Sequence, residues 1–188
     1  RMAVLNRKLK TAAMTDILTR LPNRRFAMGR LEQDVAAAHR SEQPLCVILI
    51  DIDHFKSVND CFGHDVGDLV LQETAEVFKR SIRKGDVPAR LGGEEFLVIC
   101  PASDLEGATL VAQRIRDAVA EHEFGDYPGC LTVSLGVAEL GPGRDTVDTL
   151  INAVSAIAVN DVYRPFIAPG RDDRHYLGAA RVSSIVFT

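Results

Sequence analysis

Six consecutive apolar residues, Leu45–Ile50, run straight into Asp51-Ile52-Asp53. A run of that length suits a strand. Its lack of alternation calls for cover on both faces, because a half-buried strand carries a polar residue at every second position. The rest of the chain offers that cover. A helix is expected to about His39, with Phe26, Leu31, Val35 and Ala38 on one face, and further helices over Val66–Ile82, Leu105–His122 and Thr146–Asn160. Strands are expected at Val87–Leu91 and Glu95–Cys100, separated by Gly92-Gly93 in a tight hairpin, and at Leu131–Ala138. Ala180–Phe187 reads as a closing edge strand. Helices alternating with strands around one hairpin define an α/β class, a mixed sheet with helices packed on its faces.

With 188 residues the chain is the size of one domain, and a domain of that size buries about 70% of its unfolded surface without staples. Cys46 and Cys100 lie in apolar runs and read as core residues, and the four cysteines show no metal or disulfide spacing, so a reducing cytoplasm is the expected setting. A formal charge of −4 argues against a general nucleic-acid or anionic-membrane binder. The longest apolar run is a strand's worth, too short to span a bilayer. Met2, Leu5, Leu9 and Ala12 form a narrow helical stripe, and the sequence opens on Arg1 without an apolar leader. The expectation is a connector helix over residues 1–14, packed on its own domain or ending an upstream coiled coil, in a piece of a longer protein.

Two acidic clusters carry candidate chemistry. Asp51-Ile52-Asp53 ends a buried strand, and Glu94-Glu95 follows the paired glycines. Adjacent central strands would bring them together, either as a hard oxygen site for Mg²⁺ or Mn²⁺ or as ordinary solvated carboxylates. The loop His54-Phe55-Lys56-Ser57-Val58-Asn59-Asp60 offers amide donors and one cation for phosphate. Asn59 and Asp68 are either helix caps and turn formers or readers of a guanine edge, since a carboxylate accepts from guanine N1–H and N2–H together.

Taken together, the motifs resemble one family. Arg90-Leu91-Gly92-Gly93-Glu94-Glu95-Phe96 is similar to the signature of the GGDEF family, the diguanylate cyclases, in its GGEEF form. Asp16-x-Leu18-Thr19-x-Leu21-x-Asn23-Arg24-Arg25, the long run from Asp51 to Asp68, and Thr132-Val133-Ser134-Leu135-Gly136-Val137-Ala138 match its other landmarks in order, over residues 12 to 153. The resemblance implies a nucleotidyl cyclase and polymerase palm fold. It implies condensation of two GTP to cyclic di-GMP and two pyrophosphates by a homodimer with an upstream sensory or regulatory domain. By position, Asp51, the Ile52 carbonyl and Glu94 would hold the metal with Asp53 nearby. His54, Phe55 and Lys56 would hold the triphosphate, Asn59 and Asp68 would read guanine, and Glu94 would assist deprotonation of the attacking hydroxyl.

Arg83-Lys84-Gly85-Asp86 matches the family's RxxD inhibitory motif, with Arg114 joining by position; the plain alternative is a helix end with favourable cations. The GGDEF domain is expected over 15–188, with 154–188 poorly matched. There Asp161 falls where the family carries a lysine: either the chain has diverged, with Arg164 or Arg171 substituting, or its coding sequence has shifted frame. The alternative function is therefore a module of weak or no turnover that serves as a GTP or cyclic di-GMP receptor.

Overall fold

The computed structural model describes residues 13–141, 146–152, 154 and 182–185. Helix α1 (Arg24–Ser41) leads into strand β1 (Leu45–Ile52), then helices α2 (Phe55–Phe62) and α3 (His64–Ser81). The hairpin strands β2 (Val87–Gly92) and β3 (Glu95–Pro101) follow, then helix α4 (Leu105–Ala120) and strands β4 (Val133–Glu139) and β5 (Val182–Ile185). Residues 147–152 are helical, as expected; most of the expected connector and the rest of the Thr146–Asn160 helix lie outside the described residues. β5 is the edge strand anticipated near the C-terminus.

The helix–strand alternation is as expected, but in place of a mixed sheet the described strands, in the order β2-β3-β1-β4-β5, make four pairings that are all antiparallel. Two crossovers run through this sheet. β1 reaches β2 through α2 and α3, and β3 reaches β4 through α4, so each crossover joins strands of the same direction. In both cases an antiparallel strand sits between the two, which is the split βαβ arrangement. Its consequence is functional: β1 and β3 become central neighbours, with Asp51 opposite Glu95.

Both faces of β1 are covered. Ile48, Ile50 and Ile52 face α2, α3 and α4, while Val47 and Leu49 face α1. That two-sided burial is why the run carries no alternation. Cys46 and Cys100 face each other across β1 and β3, fully buried. Burial raises the Cys46 thiol and pushes Cys100 up to about 12, which suits inert core residues. Asn23 caps α1 by accepting from the Phe26 amide at 3.1 Å, and Asp104 caps α4 by accepting from Gly107 at 2.9 Å.

Candidate active site

The acidic clusters do converge. Asp51 lies inside β1 rather than after it, paired with Glu95 on one side and Ser134 on the other. The Ile52 amide donates to the Glu94 carbonyl at 3.4 Å, so the hairpin closes over the strand end. Gly93, at φ +53°, takes the left-handed conformation that turns the hairpin. Immediately after the two glutamates, Phe96 is fully buried and meets Phe78 edge to face at 5.1 Å. Burial of an aromatic ring, at about 1.5–3 kcal/mol, thus fixes where Glu94 and Glu95 emerge.

Electrostatics at this point are unfavourable as they stand. Burial, and then the carboxylates of Glu94, Glu95 and Asp53, push Asp51 up to about 7. Asp53 is turned toward β4, where Ser134 Oγ donates to it at 2.6 Å and Thr132 Oγ1 at 2.7 Å. Among the described residues, no three His, Cys, Asp or Glu side chains gather as a metal cage by themselves.

The expected phosphate loop is a helix. His54 takes φ +57° at the N-cap of α2, and Ser57 and Val58 already donate back to its carbonyl. The short apolar repeat Phe55, Val58 buries one face and drives this, which a loop reading of the polar residues overlooks. The amides of Phe55 and Lys56 precede the first donors of the helical ladder, so the donors sought in a loop are supplied by a helix end. Lys56 is exposed; the Phe55 ring is buried and anchors the helix.

Asn59 on α2 sits against the start of α3. A Cβ on Gly67 would collide with Asn59 Oδ1 and crowd the Phe55 ring, so glycine there lets the amide lie on the helix. Asp68, next in sequence, is exposed. Asp68 thus follows directly on the glycine against which Asn59 lies.

One contact escaped sequence reasoning. Arg90 donates to the Gly93 carbonyl through Nε at 3.0 Å and Nη2 at 2.7 Å, and to Asp16 Oδ1 through Nη1 at 3.1 Å. Asp16 also accepts from the Thr19 amide at 2.8 Å and hydroxyl at 2.7 Å. The residues were visible as motif landmarks, but nothing local links them.

The RxxD segment forms the turn between α3 and β2. Asp86, whose side chain is fully buried, accepts from Arg83 Nε at 3.0 Å and from the Arg83 amide at 3.2 Å. Arg83 Nη2 donates to the Pro101 carbonyl and the Ser103 hydroxyl, each at 2.7 Å. The exposed Arg114 donates from Nε to the Ser81 carbonyl, at the end of α3. All three residues therefore surround one corner, at the opposite end of β3 from the glutamates.

The chain is similar to known proteins in sequence and fold. The family described as "Diguanylate cyclase, GGDEF domain" matches residues 13–159. The chain belongs to that family. Response regulator PleD of Caulobacter vibrioides is 43% identical over 143 residues, covering 74% of this chain and 32% of PleD. Diguanylate cyclase DgcP of Pseudomonas aeruginosa is 45% identical over 127 residues, 66% of this chain and 19% of DgcP. The coiled coil and GGDEF domain of DgcB from Caulobacter crescentus, solved in complex with c-di-GMP, superposes with a TM-score of 0.82. It is 29% identical, covering 88% of each chain. The chain thus spans a third or less of these two curated relatives. Among the described residues, no helix is long and apolar enough to cross a membrane.

Proposed function

We propose that this GGDEF domain condenses two GTP molecules into cyclic di-GMP, releasing two pyrophosphates. One observation carries the reading: Asp51, Glu94, Glu95 and Asp53 are crowded at adjoining strand ends, and burial together with these neighbours pushes the Asp51 carboxyl up to about 7. Such crowding suits a cation. Two carboxylates plus the Ile52 carbonyl make a hard oxygen donor set for Mg²⁺ or Mn²⁺ with positions left for phosphate. When bound, the ion neutralises triphosphate charge and favours in-line displacement of pyrophosphate.

The chain's own residues do the rest. Asp51, the Ile52 carbonyl and Glu94 would hold the ion, and Glu94 would also assist loss of the 3′-hydroxyl proton. The N-terminal amides of α2, with Lys56 as a point charge, orient the β- and γ-phosphates. Asn59 and Asp68 accept and donate along the guanine edge. Each subunit of a homodimer presents one GTP, because a single site of this kind holds one nucleotide while the product needs two. Arg83, Asp86 and Arg114 take up cyclic di-GMP as an inhibitory product site. A connector over residues 1–14 transmits an upstream sensory or regulatory signal. The reactants and the reduced thiols suit the cytoplasm.

Incubation with GTP and Mg²⁺ at varied protein concentration, followed by chromatography, tests this. Cyclic di-GMP is expected, with specific activity rising with concentration. Asp161, at the position of the family's triphosphate-binding lysine, favours a second reading, a receptor that binds nucleotide without turnover. Nucleotide binding with no product at any concentration would select it.

A further inference from the structure

Asp53 is chemically equipped to be a third metal ligand, two residues from Asp51 in the turn that follows β1. The hydrogen bonds around it argue otherwise. Asp53 lies opposite Thr132, whose carbonyl accepts from the Asp53 amide at 3.0 Å. Thr132 Oγ1 donates to Oδ2 at 2.7 Å and Ser134 Oγ to Oδ1 at 2.6 Å, so each carboxylate oxygen is held by its own hydroxyl. These are the short lengths of charge-assisted O–H···O⁻ bonds, and two of them fix a carboxylate's rotation. Ser134 stands directly across from Asp51, yet its hydroxyl reaches past to Asp53.

We infer that Thr132 and Ser134 are positioning residues that hold the Asp53 carboxylate against β4, out of the cation's shell. The inference rests on the cation reading proposed above. Its chemical purpose follows from charge. A third carboxylate would tighten the ion but over-neutralise it and compete with triphosphate oxygens for its open positions. Holding Asp53 aside leaves a site bound weakly enough by protein to be completed by substrate.

The consequence has opposite signs for the two ligands, which structural damage does not produce. With Mn²⁺ alone, followed by electron paramagnetic resonance, Thr132→Val/Ser134→Ala should bind the ion about fivefold more tightly than wild type. A non-hydrolysable GTP analogue should bind about fivefold more weakly. Thr132→Ser and Ser134→Thr, which keep the hydroxyls, should restore both values, and Ser134→Ala alone gives a smaller shift should the double variant fail to fold. Asp53→Asn should change Mn²⁺ affinity less than threefold, whereas Asp51→Asn loses tenfold or more. Loss of Mn²⁺ in Asp53→Asn comparable to Asp51→Asn, or parallel weakening of both ligands in the hydroxyl variants, overturns the inference while leaving the cation site standing. Equal Mn²⁺ affinity in wild type and Asp51→Asn overturns the cation reading itself, and this inference with it.

Discussion

Arg90 and Asp16, 74 residues apart in sequence, form an ion pair at 3.1 Å, and the same guanidinium holds the Gly93 carbonyl. The hairpin that carries Glu94 is thereby tied to the turn that leads into α1. The Arg90 amide adds a bond to the Pro22 carbonyl at 2.9 Å, and Asn23 bridges to Arg90. Burial disfavours the Asp16 charge, but the Thr19 and Arg90 hydrogen bonds outweigh it and hold the carboxyl below its usual range.

Asp16→Asn should therefore cost about 1–3 kcal/mol, the range for losing charge-assisted bonds at a partly buried site. The sign with pH follows from a depressed folded-state pKa. The contribution is fully present above the unfolded value and is lost as pH falls through the folded one. Urea melts from pH 7 to 3 should show wild type losing its advantage over Asp16→Asn in acid. Parallel curves for the two proteins would remove the ion pair's energetic role. Cyclase activity should fall alongside stability, because Glu94 loses its lateral anchor.

Asp51 has the opposite sign. Its carboxyl is raised to about 7, so the charged form opposes folding, progressively from its ordinary range up to pH 7 and fully above it. Asp51→Asn should stabilise the metal-free protein at pH 8 by about 1 kcal/mol, a figure reduced for solvent screening of a half-buried group. That corresponds to a few degrees in Tm. The same change should abolish cyclic di-GMP formation and the stabilising response to Mg²⁺. Calorimetry at pH 8 and pH 5 checks it: the gain should shrink at pH 5. A variant less stable than wild type at pH 8 would contradict the electrostatic account.

Gly67→Ala separates folding from base recognition. Alanine inside a helix gains about 0.5–1 kcal/mol over glycine, against about 1–3 kcal/mol for crowding Asn59 and the buried Phe55. A modest loss of thermal stability is expected, while the displaced amide costs about tenfold in GTP affinity, roughly one lost polar contact. Asp68→Ala should likewise weaken GTP more than ATP. Titrations with both nucleotides decide the matter, and unchanged GTP affinity in both variants would move the guanine pocket elsewhere.

How much of this was legible in sequence depends on range. The apolar run Leu45–Ile50 announced a doubly covered strand, and the glycine pair announced the hairpin beside it. Asp51 and Glu94 could be named as one cluster because adjacency of two strands was enough. What escaped was contact without a local signature. The split crossovers, with β1 and β3 interleaved, arise from pairings that no segment encodes by itself. Asp53–Ser134 depends on β4 lying beside β1, and Arg90–Asp16 on the N-terminal turn docking along edge strand β2, so these partners appear only once the sheet is assembled. The loop reading of His54 to Asp60 failed for another reason: two buried side chains, Phe55 and Val58, outweighed a polar composition.

The product site proposed at the RxxD corner also bears on stability. Arg83 now satisfies the fully buried Asp86 carboxylate and two acceptors of the β3–α4 connection. Removing it leaves that carboxylate with backbone donation alone, so Arg83→Ala should lose about 1–3 kcal/mol of stability. It should also bind cyclic di-GMP tenfold or more weakly, since guanidinium contacts to phosphate and guanine are the strong, charge-assisted kind. Arg114→Ala, which gives up a bond to the Ser81 carbonyl, should weaken product binding with a smaller loss of stability. Calorimetric titration with purified cyclic di-GMP, paired with thermal melts, distinguishes the two effects. Weakened binding in Arg114→Ala at near-native stability supports an inhibitory site. Wild-type affinity in both variants would reduce the motif to a helix-end clasp, in which Arg83 and Asp86 close the turn and nothing more.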